Sequence, residues 1–341
     1  MTEKERLMAA LRGLPTDRPP CICPGGMMNM ITSELMDTTD APWPAAHSDP
    51  RLMAELAEAS VTAQCFENYG LPFCMTVEVE AMGAQVDMGT HEREPHVTGY
   101  AIDSVKKWRE VAPLNAEKGR AATVLEAIRL LKKKDASIPI VGNLTGPISV
   151  ATSLMEPSTF YKELRKNRDD AKAFVSFIAG QLLHFGLLQM EAGADVITIS
   201  DPSASGEILG PVLFADYVVP ALAEICTGLK VRFPEAGVIV HICGQMRPVF
   251  DAMAQVPAEA VSFDAVVNLS TAKEKLLGKR IMGNVSTFAL ELANPAKIAV
   301  LTKKCMETAH IISPACGMGT GSPLGNVRAI LATVKASGSH A

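Results

Sequence analysis

The chain lacks several features that would announce a function by themselves. No run approaches the roughly 18 consecutive apolar residues that span a bilayer. The opening, Met1-Thr-Glu-Lys-Glu-Arg-Leu7, has no apolar signal core. A membrane protein is therefore not expected, and a cytoplasmic location is. Basic blocks are missing too: 32 Lys and Arg stand against 37 Asp and Glu, for a net charge of −5. That balance argues against nucleic acid as a main partner. Low-complexity stretches, long linkers and repeats of about 20–50 residues are also absent. One domain is expected for all 341 residues. Eight cysteines in such a length do not form a disulfide scaffold; in a reducing compartment they are thiols or metal ligands.

What the chain does have is alternation. Short apolar runs recur at Pro20-Cys-Ile-Cys23, Phe73-Cys-Met-Thr-Val77, Ile138-Pro-Ile-Val141, Asp195-Val-Ile-Thr-Ile199, Gly237-Val-Ile-Val-His-Ile-Cys243, Ala260-Val-Ser-Phe263, Lys279-Arg-Ile-Met282 and Ala309-His-Ile-Ile-Ser313. Longer amphipathic segments such as 121–134, 159–192 and 294–307 separate most of them. Strand and helix in turn predict a parallel sheet wrapped by helices. Eight such runs predict a (β/α)₈ barrel. The stretch from Met27 to about Tyr69 reads as a helical insertion near the N-terminus, with Asp49-Pro50 as a helix start.

Polar residues stand where a barrel enzyme needs them. The later runs end in Asn143, Asp201, His241 and Cys243, Asp264, Asn284 and Cys316. In a closed barrel these C-terminal strand ends converge on one mouth. His241 and Cys243 are two apart in a β-branched run, so their side chains share a face. A soft nitrogen and a soft sulfur at one strand end are half of a zinc site. Cys316, in the Gly-rich loop of Ile311-Ile-Ser-Pro-Ala-Cys-Gly-Met-Gly-Thr-Gly321, is placed to complete it. Three protein ligands with an open fourth position describe catalytic zinc. Asp264 reads equally as a fourth ligand, an acceptor behind a ligand, or a helix cap.

Other reactive residues read as ordinary structure. Cys21 and Cys23 have no partner spacing for a second metal site, and Cys65, Cys74, Cys226 and Cys305 read as small core hydrophobes. His184 sits in an apolar helical pattern, His91 and His96 in a polar loop, and His340 in the tail. Gly142-Asn-Leu-Thr-Gly-Pro147 lacks phosphate-loop spacing and reads as a strand-to-helix turn.

Together these residues resemble the methylcobamide:coenzyme M methyltransferases of methanogenic methylotrophy, within the uroporphyrinogen decarboxylase superfamily. The likeness runs from Leu7-Met-Ala-Ala-Leu-Arg-Gly13 to Pro323-Leu-Gly-Asn-Val-Arg-Ala329. It takes in Ala41-Pro-Trp-Pro-Ala-Ala-His47, Glu80-Ala-Met-Gly83, Met88-Gly-Thr90 and Gly146-Pro-Ile-Ser-Val-Ala151. Further on it includes Glu191-Ala-Gly-Ala-Asp-Val-Ile197, Ser200-Asp-Pro202, His241-Ile-Cys-Gly244, Gly283-Asn-Val-Ser286 and Ala315-Cys-Gly317. The resemblance implies a barrel with Zn²⁺ on His241, Cys243 and Cys316, and methyl transfer between a corrinoid such as methylcobalamin and a small thiol such as coenzyme M. Asp201, Asn143, Asn284 and Glu80 are the candidates for orienting the acceptor or corrinoid amides. Where those enzymes carry a Glu near the metal, this chain offers the shorter Asp264.

Two departures narrow the reading. The decarboxylase branch grips its substrate's carboxylates with an Arg-rich N-terminal motif, whereas Pro20-Cys-Ile-Cys-Pro-Gly-Gly-Met-Met-Asn29 has no arginine. Uroporphyrinogen decarboxylation is therefore disfavoured. The chain also has no Asp-x-His-x-x-Gly cobalamin motif, so the corrinoid is expected on a separate corrinoid protein, or free. Alternatives of other classes are tetrahydrofolate as acceptor, a methylated amine or ether as donor, and a non-catalytic corrinoid-protein binder with structural zinc.

Overall fold

The computed structural model describes residues 1–338; His340 lies outside them. Strand β1 (Tyr69–Leu71) is followed by a small antiparallel hairpin, β2 (Gln85–Asp87) and β3 (His96–Gly99). Then come β4 (Ile140–Thr145), β5 (Val196–Ser200), β6 (Gly237–Ile242), β7 (Ala260–Phe263) and β8 (Arg280–Met282). The larger sheet has the order β1-β4-β5-β6-β7-β8, with every pairing parallel. All residues of β4, β5, β6 and β7 are buried. Helices cover the outer face and side chains fill the inner one, which is why these strands read as nearly continuous apolar runs.

Closure is less regular than eight equal strands. Cys21 and Ile312 make one parallel bridge, and Ile311 makes another with Met282 of β8. The seam between Cys21 and β1 is closed largely by side chains. Glu67 donates its backbone N–H to Cys21 O, and its carboxylate accepts the Cys21 N–H, both at 2.9 Å. Asn68 does the same with Cys23, accepting its N–H at 3.0 Å and donating to its carbonyl at 2.8 Å. The run Pro20–Cys23 is thus a bridged seam rather than a strand.

The run expected at Phe73–Val77 is corrected more fully. The strand lies earlier, at Tyr69–Leu71, and Pro72 ends it because it has no N–H for the ladder. Residues 73–76 bend over the barrel end, and the helix Val77–Ala81 follows. Their apolar character reflects burial, which periodicity cannot distinguish from strand over so short a run. The insertion is helical as expected: Ser33–Met36, Ala45–His47 and Pro50–Thr62, the last capped by the Asp49 carboxylate.

Register sets the inward face. Thr145 pairs with Ser200, Ser200 with His241, His241 with Ser262, and Ser262 with Met282. Residues paired across neighbouring strands point to the same side of the sheet. They form one largely polar layer inside the barrel. The helix Glu3–Arg12 lies against the opposite, N-terminal end, where a Cβ on Gly237 would fall 2.5 Å from Leu11 Cδ1. Two helices, Arg168–Ala192 and Gly206–Arg232, are long and apolar enough to cross a membrane on length and composition alone. Half of the apolar window of the first is buried in the protein, which is how an outer barrel helix earns its hydropathy.

Glu67 ties the seam together at a buried position, 2% exposed, where Arg6 and Arg18 both contact its carboxylate. Removing one member of a buried charged network strands the others. Glu67→Ala is expected to lower stability by about 3–5 kcal/mol, read as an earlier urea midpoint. Glu67→Gln, which keeps an acceptor for Cys21 N–H, should lose less.

Candidate metal centre

His241 lies near the end of β6 with its side chain fully buried. Its Nδ1 is 2.9 Å from Ser262 Oγ on β7, and its Nε2 is 3.1 Å from Cys243 Sγ. With Nδ1–H donating to Ser262, the lone pair of Nε2 faces the sulfurs, the tautomer a metal ligand needs. Cys243 Sγ is 3.0 Å from Cys316 Sγ. The three ligand atoms lie within 4.8 Å of one another, and among the described residues no further His, Cys, Asp or Glu joins the cluster.

Turn chemistry fixes both cysteines. Gly244 turns the chain after Cys243 at φ 77°, where a Cβ would meet Glu207 Oε1 at 2.5 Å. A left-handed turn in so little space suits glycine. The Cys316 loop packs on the insertion: a Cβ on Gly317 would sit 2.4 Å from Met27 O, and Met318 N–H donates to Asn29 O at 3.0 Å. Asn29 Nδ2 in turn donates to Met318 O.

The electrostatics separate the two sulfurs. Cys316 is held well below the usual thiol range, first by its hydrogen bond with Cys243 and then by His241. Cys243 is pushed up, first by that same bond and then by burial. Two sulfurs and an imidazole nitrogen converge within 4.8 Å of one another. This donor set fits Zn²⁺. The other six cysteines are buried, as core thiols are, while Cys243 and Cys316 are only partly covered.

The remaining expected site residues are not gathered at the cluster. Asp264 accepts Gly244 N–H at 3.2 Å on one oxygen and Val266 N–H at 3.1 Å on the other, bracing the turn behind Cys243. Asp201 is fully buried and accepts Ile148 N–H at 3.1 Å and Ser149 N–H and Oγ–H at 2.7 Å each, at the start of the helix Pro147–Leu154. Burial pushes its carboxyl up to about 6. Asn143 donates to Pro24 O and Leu71 O. Asn284 donates to Asp264 O at 2.8 Å and Val267 O at 3.0 Å. Glu80 pairs with Arg120 at 2.6 Å, in a cavity on the rim that Met88 and Lys118 also line.

One residue at the cluster escaped the sequence reading. Ser262 could have been found only from the register that sets it opposite His241. The tip of the β2–β3 hairpin is fastened to the Cys316 loop by Thr320 Oγ–H donating to Glu92 O at 2.9 Å.

A parallel barrel with an open soft-ligand cluster at its C-terminal mouth is the arrangement of a metal-assisted barrel enzyme. Residues 2–337 match the family model described as Uroporphyrinogen decarboxylase (URO-D), and the chain belongs to that family. Within it, the chain falls on the corrinoid-dependent methyltransferase branch. It is 33% identical over 336 residues to the methylcobamide:CoM methyltransferase MtaA of Methanosarcina barkeri, covering 97% of both chains. The identity is 30% to the methylcobamide:CoM methyltransferase MtbA of Methanosarcina acetivorans, covering 98% of both. A solved methyltransferase from Methanosarcina mazei superposes with a TM-score of 0.91 at 33% identity, covering 99% of both chains. Uroporphyrinogen decarboxylases are more distant: that of Salinibacter ruber is 25% identical over 84% of this chain.

One zinc per chain is expected on metal analysis of the purified protein, and Cys316→Ala should abolish tight binding. Ser262→Ala should keep the site but weaken zinc about 10–100-fold, the usual cost of losing the group behind a ligating histidine. A chelator competition measures both.

Proposed function

We propose that the chain moves a methyl group between a methylated corrinoid and a small thiol, at a zinc ion held by His241, Cys243 and Cys316. The observation that carries this reading is the cluster of three soft donors at the barrel mouth, a set that leaves tetrahedral zinc one coordination position for a substrate. The Methanosarcina relatives named for methylcobamide and CoM support it from outside the site.

Bound there, zinc would supply the positive charge that keeps a coordinated thiol ionised at neutral pH without removing its nucleophilicity. The rest is the work of this chain's residues. Ser262 fixes the His241 ring, and Asp264 braces the turn that presents Cys243. Asn29 and Met27 seat the loop that presents Cys316. Asp201, Asn143 and Asn284 act as positioning residues, each engaged with backbone around the mouth. Glu80 has one oxygen on Arg120, and its other oxygen accepts no hydrogen bond among the described residues. It is the orienting candidate with an acceptor left for a corrinoid amide. Alignment of sulfur with the methyl carbon is the main contribution.

The reaction balances simply. The thiol loses its proton to solvent. Its sulfur forms a bond to the methyl carbon while the carbon–cobalt bond breaks, and that electron pair remains on cobalt. The chain has no cobalamin motif of its own, so the corrinoid comes from a separate corrinoid protein or free in solution.

Mixing enzyme, methylcobalamin and a small thiol should yield the methyl thioether and the visible spectrum of reduced cobalt. Thiol binding should release a proton and add one sulfur to the shell seen by X-ray absorption at the zinc edge. An unchanged shell with every thiol, together with methyl transfer to a folate, would replace thiol activation with the folate reading.

A further inference from the structure

The strand and loop beside the two β6 ligands carry three serines that the proposed reaction does not use. Ser200 ends β5, and Ser203 and Ser205 follow in the loop to the helix that begins at Gly206. Ser203 is engaged: its hydroxyl accepts a hydrogen bond from Thr152 Oγ1 at 3.0 Å. The hydroxyls of Ser200 and Ser205 have no partner among the described residues, although the two residues are only 1% and 2% exposed.

Their places are fixed by separate features of the fold. Ser200 pairs in register with His241, so the two side chains share the inner face of the sheet. Just beyond it the strands stay joined, with Asp201 N–H donating to His241 O at 2.9 Å. Ser205 lies against the turn after Cys243: a Cβ on Gly244 would fall 3.2 Å from Ser205 Cβ. It holds the N-cap position of the next helix, where a serine hydroxyl ordinarily accepts an N–H of the first turn, and here its side chain accepts none. One unpaired hydroxyl thus stands beside His241 and the other beside the turn that presents Cys243.

Such groups are costly. Buried polar side chains ordinarily have a partner, and a hydroxyl without one lowers stability. Alanine at either position would remove that penalty. Two orphans on the same side of one cluster share an explanation when the polar end of a ligand completes both.

We propose that Ser200 and Ser205 bind the polar tail of the acceptor thiol, their hydroxyls donating to an oxygen of the tail while its sulfur is held at the cluster. This rests on the thiol reading given above. A short thiol anchored by its sulfur at His241, Cys243 and Cys316 keeps its tail in the neighbourhood where these hydroxyls lie. A tail bearing oxygen accepts their protons. An alkyl tail of the same size leaves both buried and unpaired, and a site built to hydrogen-bond a substrate rejects the analogue that lacks the group.

The test uses a matched pair, 2-mercaptoethanol and 1-propanethiol, which differ by a hydroxyl in place of a methyl, together with 2-mercaptoethanesulfonate. Methyl transfer from methylcobalamin to each is measured with the zinc-loaded wild type, Ser200→Ala, Ser205→Ala and the double variant. Ratios of kcat/KM between thiols are compared within each protein, so that a general loss of activity cancels. Thiol dissociation constants from proton release, and urea midpoints of the same proteins, are readouts independent of turnover.

The wild type is expected to favour each oxygen-tailed thiol over 1-propanethiol by about tenfold or more. In the double variant that preference should fall by about tenfold, most of it in KM and Kd, while the urea midpoint stays or moves later because two orphan hydroxyls are gone. Serines with a merely structural role would do the reverse, with an earlier midpoint and an unmoved ratio. Should the double variant not fold, the single variants carry the same comparison. A wild type indifferent to the tail, or a preference that the substitutions do not move, overturns the inference while leaving thiol activation intact. If no thiol binds or accepts the methyl group, the thiol reading itself fails and takes this inference with it.

Discussion

The contact between Cys243 and Cys316, 3.0 Å apart across 73 residues of chain, exists only because the barrel closes. Cys243 belongs to the turn after β6. Cys316 belongs to a segment that touches the sheet through single bridges, Ile311 to Met282 and Ile312 to Cys21. Neither cysteine has a local reason to meet the other. The seam at residues 20–23, secured by Glu67 and Asn68, is therefore as much a part of the site as the ligands are. Buried charge stands at the seam where a regular ladder of backbone hydrogen bonds would otherwise do the joining. Such a join depends on side-chain geometry and is specific to one register, which suits a closure that brings Cys316 Sγ to 3.0 Å from Cys243 Sγ.

The interior under the His241–Cys243–Cys316 cluster is built against the usual rule. Barrel cores are filled by layers of branched aliphatic side chains. Here the layer at the mouth holds Thr145, Ser200, His241 and Ser262, and the next inward-facing residues on β4 and β5 are Asn143 and Thr198. Ser262 and Thr145 find partners in His241 and Glu78. The hydroxyls of Thr198 and Ser200 and the Asn143 side-chain Oδ1 find none in the protein. Burying such groups costs stability that an aliphatic layer would not. Departures of this kind from a well-packed core concentrate at functional sites, where chemistry rather than packing chooses the residue.

How much of this could be read from sequence depends on which physical rule each feature obeys. Period two and a terminal glycine put His241 and Cys243 on one face, and an apolar run before a Gly-rich loop placed Cys316 at the same mouth. The alternation of runs gave the parallel barrel for the same reason. The Phe73–Val77 run misled because burial without periodicity looks alike in strand and bend. Ser262 was invisible because register joins residues 21 apart that no local pattern links. Asp264 was legible as a strand-end carboxylate, but the destination of its oxygens was not: two backbone N–H groups take them up, and only the turn geometry decides that. Asp201 and Asn284 lie just past their strands, whereas Asn143 lies within β4, and all three spend their polarity largely on backbone. At a barrel mouth the loops must be held as firmly as the ligands, and a carboxylate or amide is the side chain that can hold them.

That demand divides the mouth into two kinds of polar residue. Those inherited from the strand ends mostly face backbone groups that are always present, although Asn143 Oδ1 keeps no partner in the protein. Others come instead from the β2–β3 hairpin, an element outside the larger sheet. A hairpin attached to the rim at its base and clasped at its tip by Thr320 can change its side chains without disturbing a barrel strand. Loops carried on a rigid frame are where barrels vary their specificity. The candidate ligands are fixed by register and closure, whereas a residue on this hairpin lies outside the larger sheet that sets them.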